Sequence, residues 1–268
     1  MPMDMPSAPS ANLSMTMPLT TMMRWSAWWA KFSGETNMLD ALIFDVDGTL
    51  SETEELHRWA FNETFRQRSM SWAWSQDDYR LLLKTTGGKE RMRAHRDALG
   101  LKEPSDDVIA DMHRQKTSTY TEAVAKGRLT LRRGVKDVMS WGRAHGLRLA
   151  VATTTNRPNV DALSLACFGA PAEEVFDVIA AGDEVSHKKP APDVFLLALE
   201  RLGIGADAAV AFEDSRNGLR SALDAGLDVL VTPSVYTSHE EFPEARMVAA
   251  DMLGFMDWLT SRHMAVGG

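Results

Sequence analysis

Five short apolar runs punctuate the chain and constrain its fold more than any other feature: "LDALIFD" at 39–45, "LRLAVAT" at 147–153, "VFDVIAA" at 175–181, "AAVAFED" at 208–214 and "LDVLVTP" at 227–233. Near-continuous apolar runs of this length are the pattern of strands buried on both faces. Helical patterns separate most of them, so the chain reads as successive βαβ units, an α/β fold with a doubly wound, Rossmann-like parallel sheet. One interval departs from this rhythm, the stretch of about a hundred residues between the first run and the second. It carries helix-like segments instead. One begins at "SETE", where Ser51 and Glu54 have capping-box spacing, and continues with Leu56, Ala60, Phe61 and Phe65 on one side. Another covers 105–124, with Val108, Met112 and Tyr120 at helical spacing. The expected organisation is a core formed by 38–53 and 133–268, interrupted by an α-helical cap domain at 54–132 with a hinge at each end.

The segment 1–37 is rich in Met, Ser, Thr and Pro, has few acidic residues and shows no clear period, so we expect a disordered extension there. A gene start placed too early, with Met38 as the working start, accounts for it, and a transit peptide is the alternative. The expected location is accordingly the cytoplasm, or a plastid if the extension is a transit peptide. A single cysteine, Cys167, cannot form an internal disulfide, which suits a reducing compartment. With 29 Lys+Arg against 37 Asp+Glu the net charge is −8, so neither nucleic acid nor an anionic membrane is expected as a partner. No apolar run approaches membrane-spanning length. A monomer acting on a small molecule is the expectation.

In a doubly wound sheet, ligands bind beyond the carboxyl ends of the strands. Here those ends carry Asp45 and Asp47, Thr153 and its neighbour Thr154, and the pair Glu213 and Asp214, with Lys189 in the loop after the third run. Packed together, Asp45, Asp47 and Asp214 repel one another and call for a cation. Mg²⁺, which takes oxygen ligands and also binds phosphate, suits them better than Ca²⁺. A carboxylate needs no separate base to attack phosphorus and can form an aspartyl-phosphate. A second acid two residues on, turned away at Gly48, can protonate the leaving oxygen and then activate water. Thr153 and Lys189 would hold the phosphoryl oxygens. Each element has an ordinary structural alternative, since strand-end acids are common turn and cap residues. Their succession on consecutive strand ends is what points to a phosphatase, a phosphoric monoester hydrolase.

The stretches "DVDGT", "VATTT", "KKPAPD" and "FEDSRNG" resemble the four motifs of the haloacid dehalogenase (HAD) superfamily. The resemblance implies that Asp45 is the nucleophile and Asp47 the general acid/base, and that Thr153 and Lys189 bind phosphate. It also implies that Asp45, the backbone carbonyl of Asp47, and Asp214 bind Mg²⁺, with Glu213 supporting them. A cap placed between the first and second motifs resembles the subgroup that includes β-phosphoglucomutases and sugar-phosphate phosphatases. "DVDGTLSETEELHRWAFNETF", "TTGGKERM", "VATTTNRPNV" and "FDVIAAGDEV" resemble more closely the CbbY-type phosphatases associated with the Calvin cycle. That likeness implies hydrolysis of xylulose 1,5-bisphosphate, an inhibitor of Rubisco, to xylulose 5-phosphate and phosphate. A phosphomutase of the β-phosphoglucomutase kind, or a HAD phosphatase for another sugar phosphate, is the alternative. A bisphosphate needs cations for its distal phosphate, and Lys89 and Arg91 in "GGKER", with Lys116 and Arg132, are the candidates. Glu54 and His57 resemble the family's substrate-facing positions.

Overall fold

The computed structural model describes residues 38–85 and 87–264. The extension expected at 1–37 lies outside the described residues. In chain order the elements are β1 (Ala41–Phe44), α1 (Thr53–Gln67), α2 (Gln76–Leu82), α3 (Gly88–Ala98), α4 (Asp106–Ala125), α5 (Val135–Ala144) and β2 (Arg148–Ala152). There follow α6 (Arg157–Phe168), α7 (Ala172–Val175), β3 (Val178–Ala180), α8 (Asp193–Leu202) and β4 (Ala209–Glu213). The chain continues through α9 (Arg216–Asp224), β5 (Asp228–Val231), β6 (Met247–Val248) and α10 (Met256–Met264), with short 3₁₀ turns at Ala206–Ala208 and Met252–Phe255.

The strands form one parallel sheet in the order β3-β2-β1-β4-β5-β6. All five expected runs are strands. The two-residue β6 was not foreseen, because "MV" between Arg246 and Ala249 is too short to show a period. β1 is central, and Leu42 and Phe44 on one face alternate with Ala41 and Ile43 on the other, each set buried against its own layer of helices. Register is what makes a site: Phe44 lies opposite both Val151 and Phe212. The residues that follow β1, β2 and β4 therefore emerge side by side.

Between β1 and α5, four helices pack around an aromatic cluster that includes Phe61, Phe65, Trp74 and Tyr79. Local details here differ from the sequence reading. Ser51 does not cap α1; its hydroxyl donates to Thr130 O across the base of the insertion (2.7 Å), and Glu52 occupies the cap position without a side-chain bond to the helix. A true capping box starts α2, where Ser75 and Asp78 exchange bonds of 3.1 and 2.9 Å. On α4 the buried partner of Met112 is Ile109, whereas Val108 is exposed, one helical step out of the apolar stripe. Among the described residues no helix is long and apolar enough to cross a membrane.

Candidate active site

Asp45 is the first residue beyond β1, and its backbone N–H still donates to Phe212 O on β4 (3.0 Å). The sheet thus fixes its backbone. Its carboxylate accepts from Lys189 Nζ at 2.7 Å. The same ammonium donates to Glu213 Oε1 at 2.6 Å and Ala152 O at 2.8 Å, so all three of its hydrogens are used. Burial opposes the charge on Lys189, but Asp45 and Glu213 together hold its affinity for the proton above the ordinary value. Carboxylate oxygens of Asp45, Glu213 and Asp214 lie within 4.8 Å of one another. Burial first, then Asp45 and Glu213, push the Asp214 carboxyl well above its usual range. Lys189 reaches only two of these three acids. The all-oxygen donor set and the excess of buried negative charge fit a hard divalent cation.

Two glycines permit this crowding. Gly48 has φ +86°, and a Cβ there would lie 2.3 Å from Asp214 Oδ2. At Gly218 a Cβ would meet the Glu213 carboxylate at 1.8 Å. The final glycine of "FEDSRNG" is therefore required by sterics, a role that the motif reading missed.

Asp47 has a different environment. Its Oδ1 accepts from the Thr53 hydroxyl at 2.5 Å, at the first residue of α1. Burial, with repulsion from Glu54 and Asp45, lifts its carboxyl to about 7. Two acids separated by one residue thus differ in environment: one is fixed beside a lysine, and the other is raised to hold a proton near neutrality. Thr153 is fully buried, and among the described residues its hydroxyl oxygen is bonded only as an acceptor, from Thr155 N (3.2 Å). The proton of that hydroxyl is thus left to donate.

A cavity of about 360 Å³ opens between these strand ends and the insertion. Its core wall includes Asp47, Thr154, Asn156, Asn159 and Lys188. Opposite stand Glu54, His57, Gly88, Arg91, His113 and Lys116. Lys116 donates to or shares a proton with His57 Nδ1 at 2.7 Å, and its ammonium lies 4.7 Å from the Phe61 ring centroid and 5.1 Å from that of Tyr120. Burial draws the Lys116 amine down to about 7, with Arg91 adding to the shift while Glu54 and Asp47 oppose it. His57 is held neutral by burial and by Lys116. Arg91 donates to the Tyr79 hydroxyl (2.9 Å) and Thr85 O (3.1 Å), and Tyr79 in turn donates to Glu54 Oε2 (2.8 Å).

Two of the cations proposed from sequence stand elsewhere. Lys89 is exposed and does not line the cavity, because one step along α3 turns a side chain about 100° away from the face that Gly88 and Arg91 share at i, i+3. Arg132 donates to the carbonyl oxygens of Gly48, Thr232 (2.8 Å) and Pro233 (2.8 Å) and pairs with Glu52 at 3.2 Å. It clamps the base of the insertion. The sequence reading also missed Thr53, Tyr79, His113 and Asn159. His113 does fall in step with Lys116 and Tyr120 along α4 (i, i+3, i+7), a polar stripe that a search for apolar periodicity passes over.

The family model for haloacid dehalogenase-like hydrolases matches residues 42–232, the span that contains these strand ends and the insertion. The chain belongs to this family. Protein CbbY of Rhodobacter capsulatus is 59% identical over 207 residues, 77% of this chain and 91% of that protein. Protein CbbY of Cereibacter sphaeroides is 54% identical over 209 residues, 78% and 90%. The crystal structure of CbbY from Rhodobacter sphaeroides in complex with phosphate matches with a TM-score of 0.74 at 51% identity, covering 81% of this chain and 96% of that one. A mutant of the same protein in complex with xylulose-(1,5)bisphosphate matches at 0.71 and 51%, covering 80% and 95%. The present chain is accordingly an enzyme, a phosphatase of the haloacid dehalogenase family.

Proposed function

We propose that this chain is a Mg²⁺-dependent sugar-phosphate phosphatase that hydrolyses xylulose 1,5-bisphosphate to xylulose 5-phosphate through an aspartyl-phosphate on Asp45. The observation that carries the reading is the pairing of Asp45, held by Lys189, with Asp47 beyond one strand end, Asp47 lining a cavity whose far wall holds Arg91 and Lys116. Asp45 attacks phosphorus. Asp47, protonated near neutrality, gives its proton to the leaving sugar oxygen, then takes one from the water that cleaves the acyl phosphate. Thr153 donates its hydroxyl proton to a phosphoryl oxygen, and Lys189 orients Asp45 while its charge stands beside the transferring group. Mg²⁺, held by Asp45, Asp214 and the Asp47 carbonyl with Glu213 behind them, would neutralise charge on the phosphoryl oxygens. The four-helix insertion serves as the cap, and Arg91 and Lys116, rather than Lys89 and Arg132, receive the distal phosphate. The bisphosphate complex of a neighbour at 51% identity supports that choice of substrate.

The test is a panel of sugar mono- and bisphosphates offered to purified protein with Mg²⁺ and, separately, with a chelator. The expected result is chelator-sensitive release of inorganic phosphate, with kcat/KM highest for xylulose 1,5-bisphosphate. Isomerisation of a hexose 1-phosphate without net phosphate release would instead make the protein a phosphomutase.

A further inference from the structure

The loop after β5, residues 232–238, follows a core strand, yet its aromatic residue is buried in the insertion. Tyr236 is 3% exposed and packs with Phe61, Phe65, Trp74 and Tyr79. Its ring meets Tyr79 edge-on, with centroids 5.6 Å apart at 76°, and the Arg80 guanidinium lies 6.0 Å over it. Its hydroxyl donates to Glu55 on α1. The next residue faces the acidic centre. Thr237 Oγ1 donates to Asp214 O at 2.6 Å, lies 3.3 Å from Asp214 Oδ2, and accepts from Ser234 N at 2.8 Å. The two neighbours belong to one turn, closed by Thr237 N donating to Ser234 O at 3.2 Å.

Asp214 has little freedom apart from this turn. Its Oδ2 lies 2.3 Å from where a Cβ on Gly48 would be, and the same Cβ would be 3.1 Å from Ser234 Cβ, so the carboxylate is wedged between the Gly48 backbone and the loop. The root of the loop is fixed by Thr232 N donating to Glu213 O (2.9 Å) and by Arg132 on the carbonyls of Thr232 and Pro233. With the root held, a displacement of the Tyr236 ring is taken up within the turn. Consecutive Cα atoms are tied at about 3.8 Å, so such a displacement moves Thr237 as well.

We propose that Tyr236 is a positioning residue for the acidic centre: its seat among the insertion's aromatic residues sets, through Thr237, where Asp214 stands. The site then reaches its metal-binding arrangement only while the insertion is seated on the core. This rests on the reading of Asp214 as a Mg²⁺ ligand. Contiguity alone does not establish coupling, so the test measures coupling directly.

Mg²⁺ binding to the substrate-free protein is followed by titration calorimetry, with melting temperatures in parallel, for wild type, Tyr236→Ala, Tyr236→Phe, Thr237→Val and the Ala/Val double variant. Tyr236→Ala and Thr237→Val should each weaken Mg²⁺ binding by roughly five- to fiftyfold, in the range of ordinary coupling between sites. The double variant should be no weaker than the poorer single, since both cut one link. Tyr236→Phe keeps the ring in its seat and should stay within about threefold of wild type, provided that packing rather than the bond to Glu55 carries the link. If Tyr236→Ala does not fold, Tyr236→Leu replaces it, filling most of the space without the edge contact. A lowered melting temperature with wild-type Mg²⁺ affinity overturns the proposal and leaves Tyr236 a packing residue. Additive losses in the double variant overturn it as well. Wild type that binds no Mg²⁺ and releases phosphate in the presence of chelator removes the metal reading itself, an outcome distinct from either.

Discussion

The two walls of the cavity are built by different means. On the core side, Asp47 and Thr154 line the cavity, and the neighbouring Asp45, Thr153 and Asp214 are short side chains next to strand ends whose backbone the sheet holds. On the insertion wall, the groups are long side chains on helix faces, steadied by stacking on rings, as Lys116 is on Phe61 and Tyr120. Short side chains on a fixed backbone give the placement that bond-making requires. Long side chains with several rotatable bonds can follow a substrate's far end. Under the function proposed above, chemistry belongs to the core side and selectivity to the insertion wall.

The sharpest way to break this assignment is Asp45→Asn. The amide is nearly isosteric but does not attack phosphorus, so turnover of every phosphate ester should fall to background while the melting temperature stays near that of wild type. Steady-state release of phosphate above background from any ester in the panel would show that the chemistry lies elsewhere.

Asp47→Asn should have the next largest effect, and an uneven one. An alkyl leaving group needs the proton that Asp47 holds, so hydrolysis of a sugar phosphate should drop by about a hundredfold or more. An aryl phosphate leaves without that help, and formation of its phospho-enzyme, read as a burst of released phenol, should be less affected. The same variant should flatten the alkaline side of the rate profile, because the group lifted to about 7 is the one that must be protonated for the first step. Equal losses for aryl and alkyl esters would mean that Asp47 positions groups rather than transferring protons.

How far each wall was legible in the sequence follows from the same contrast. Strand-end residues are read by position: once "LDALIFD" and "AAVAFED" are neighbouring parallel strands, an adjacency that the structure supplies, their register places Asp45 beside Glu213 and Asp214. The insertion wall depends on which face of each helix turns toward the core, and on contacts between residues far apart. Lys89 and Arg91 are two residues apart in one basic turn, and only helix phase separates them. Arg132 looked like another phosphate cation, yet the structure uses it on three backbone carbonyls, which hinge geometry rather than composition decides. Tyr236 lies about a hundred residues beyond the insertion in which it is buried, and no local pattern announces that.

The next test compares cations within the insertion. Lys116→Met and Arg91→Ala each remove a charge lining the cavity, and a charge-assisted bond to phosphate contributes roughly 1.5–3 kcal/mol. The kcat/KM for a bisphosphate should therefore fall by about ten- to a hundredfold in either variant. Small aryl phosphates, which do not span the cavity, should be much less affected. Lys89→Ala, an exposed position, should change neither substrate by more than about twofold. A large and selective loss in Lys89→Ala would mean that α3 turns on substrate binding, and that the wall seen here is not the one the substrate meets.

The smallest effect expected is on stability, and it probes whether the insertion wall is as electrostatically settled as the core. Lys189 is a buried ammonium with three acceptors, whereas Lys116 is a buried amine whose charged neighbours are divided: Glu54 and Asp47 favour its charge, and Arg91 disfavours it. Folding lowers its affinity for the proton from 10.5 to about 7. Between those values the unfolded chain binds the proton and the folded chain does not, so wild-type stability rises with pH through that window. Below about 7 both states carry the proton, and the folded state bears the whole cost of an ammonium in this setting. Lys116→Met lacks that dependence. Its melting temperature should exceed wild type most clearly near neutral pH and below, by roughly 2–4 °C for each kcal/mol relieved, and the margin should close as pH climbs toward 10. Melting curves of the two proteins across about pH 6 to 10 read this directly. A margin that is absent near neutrality, or that widens as pH rises, would show that Glu54 and Asp47 satisfy the ammonium fully, and the insertion wall would then be held by charge as firmly as Lys189 holds Asp45.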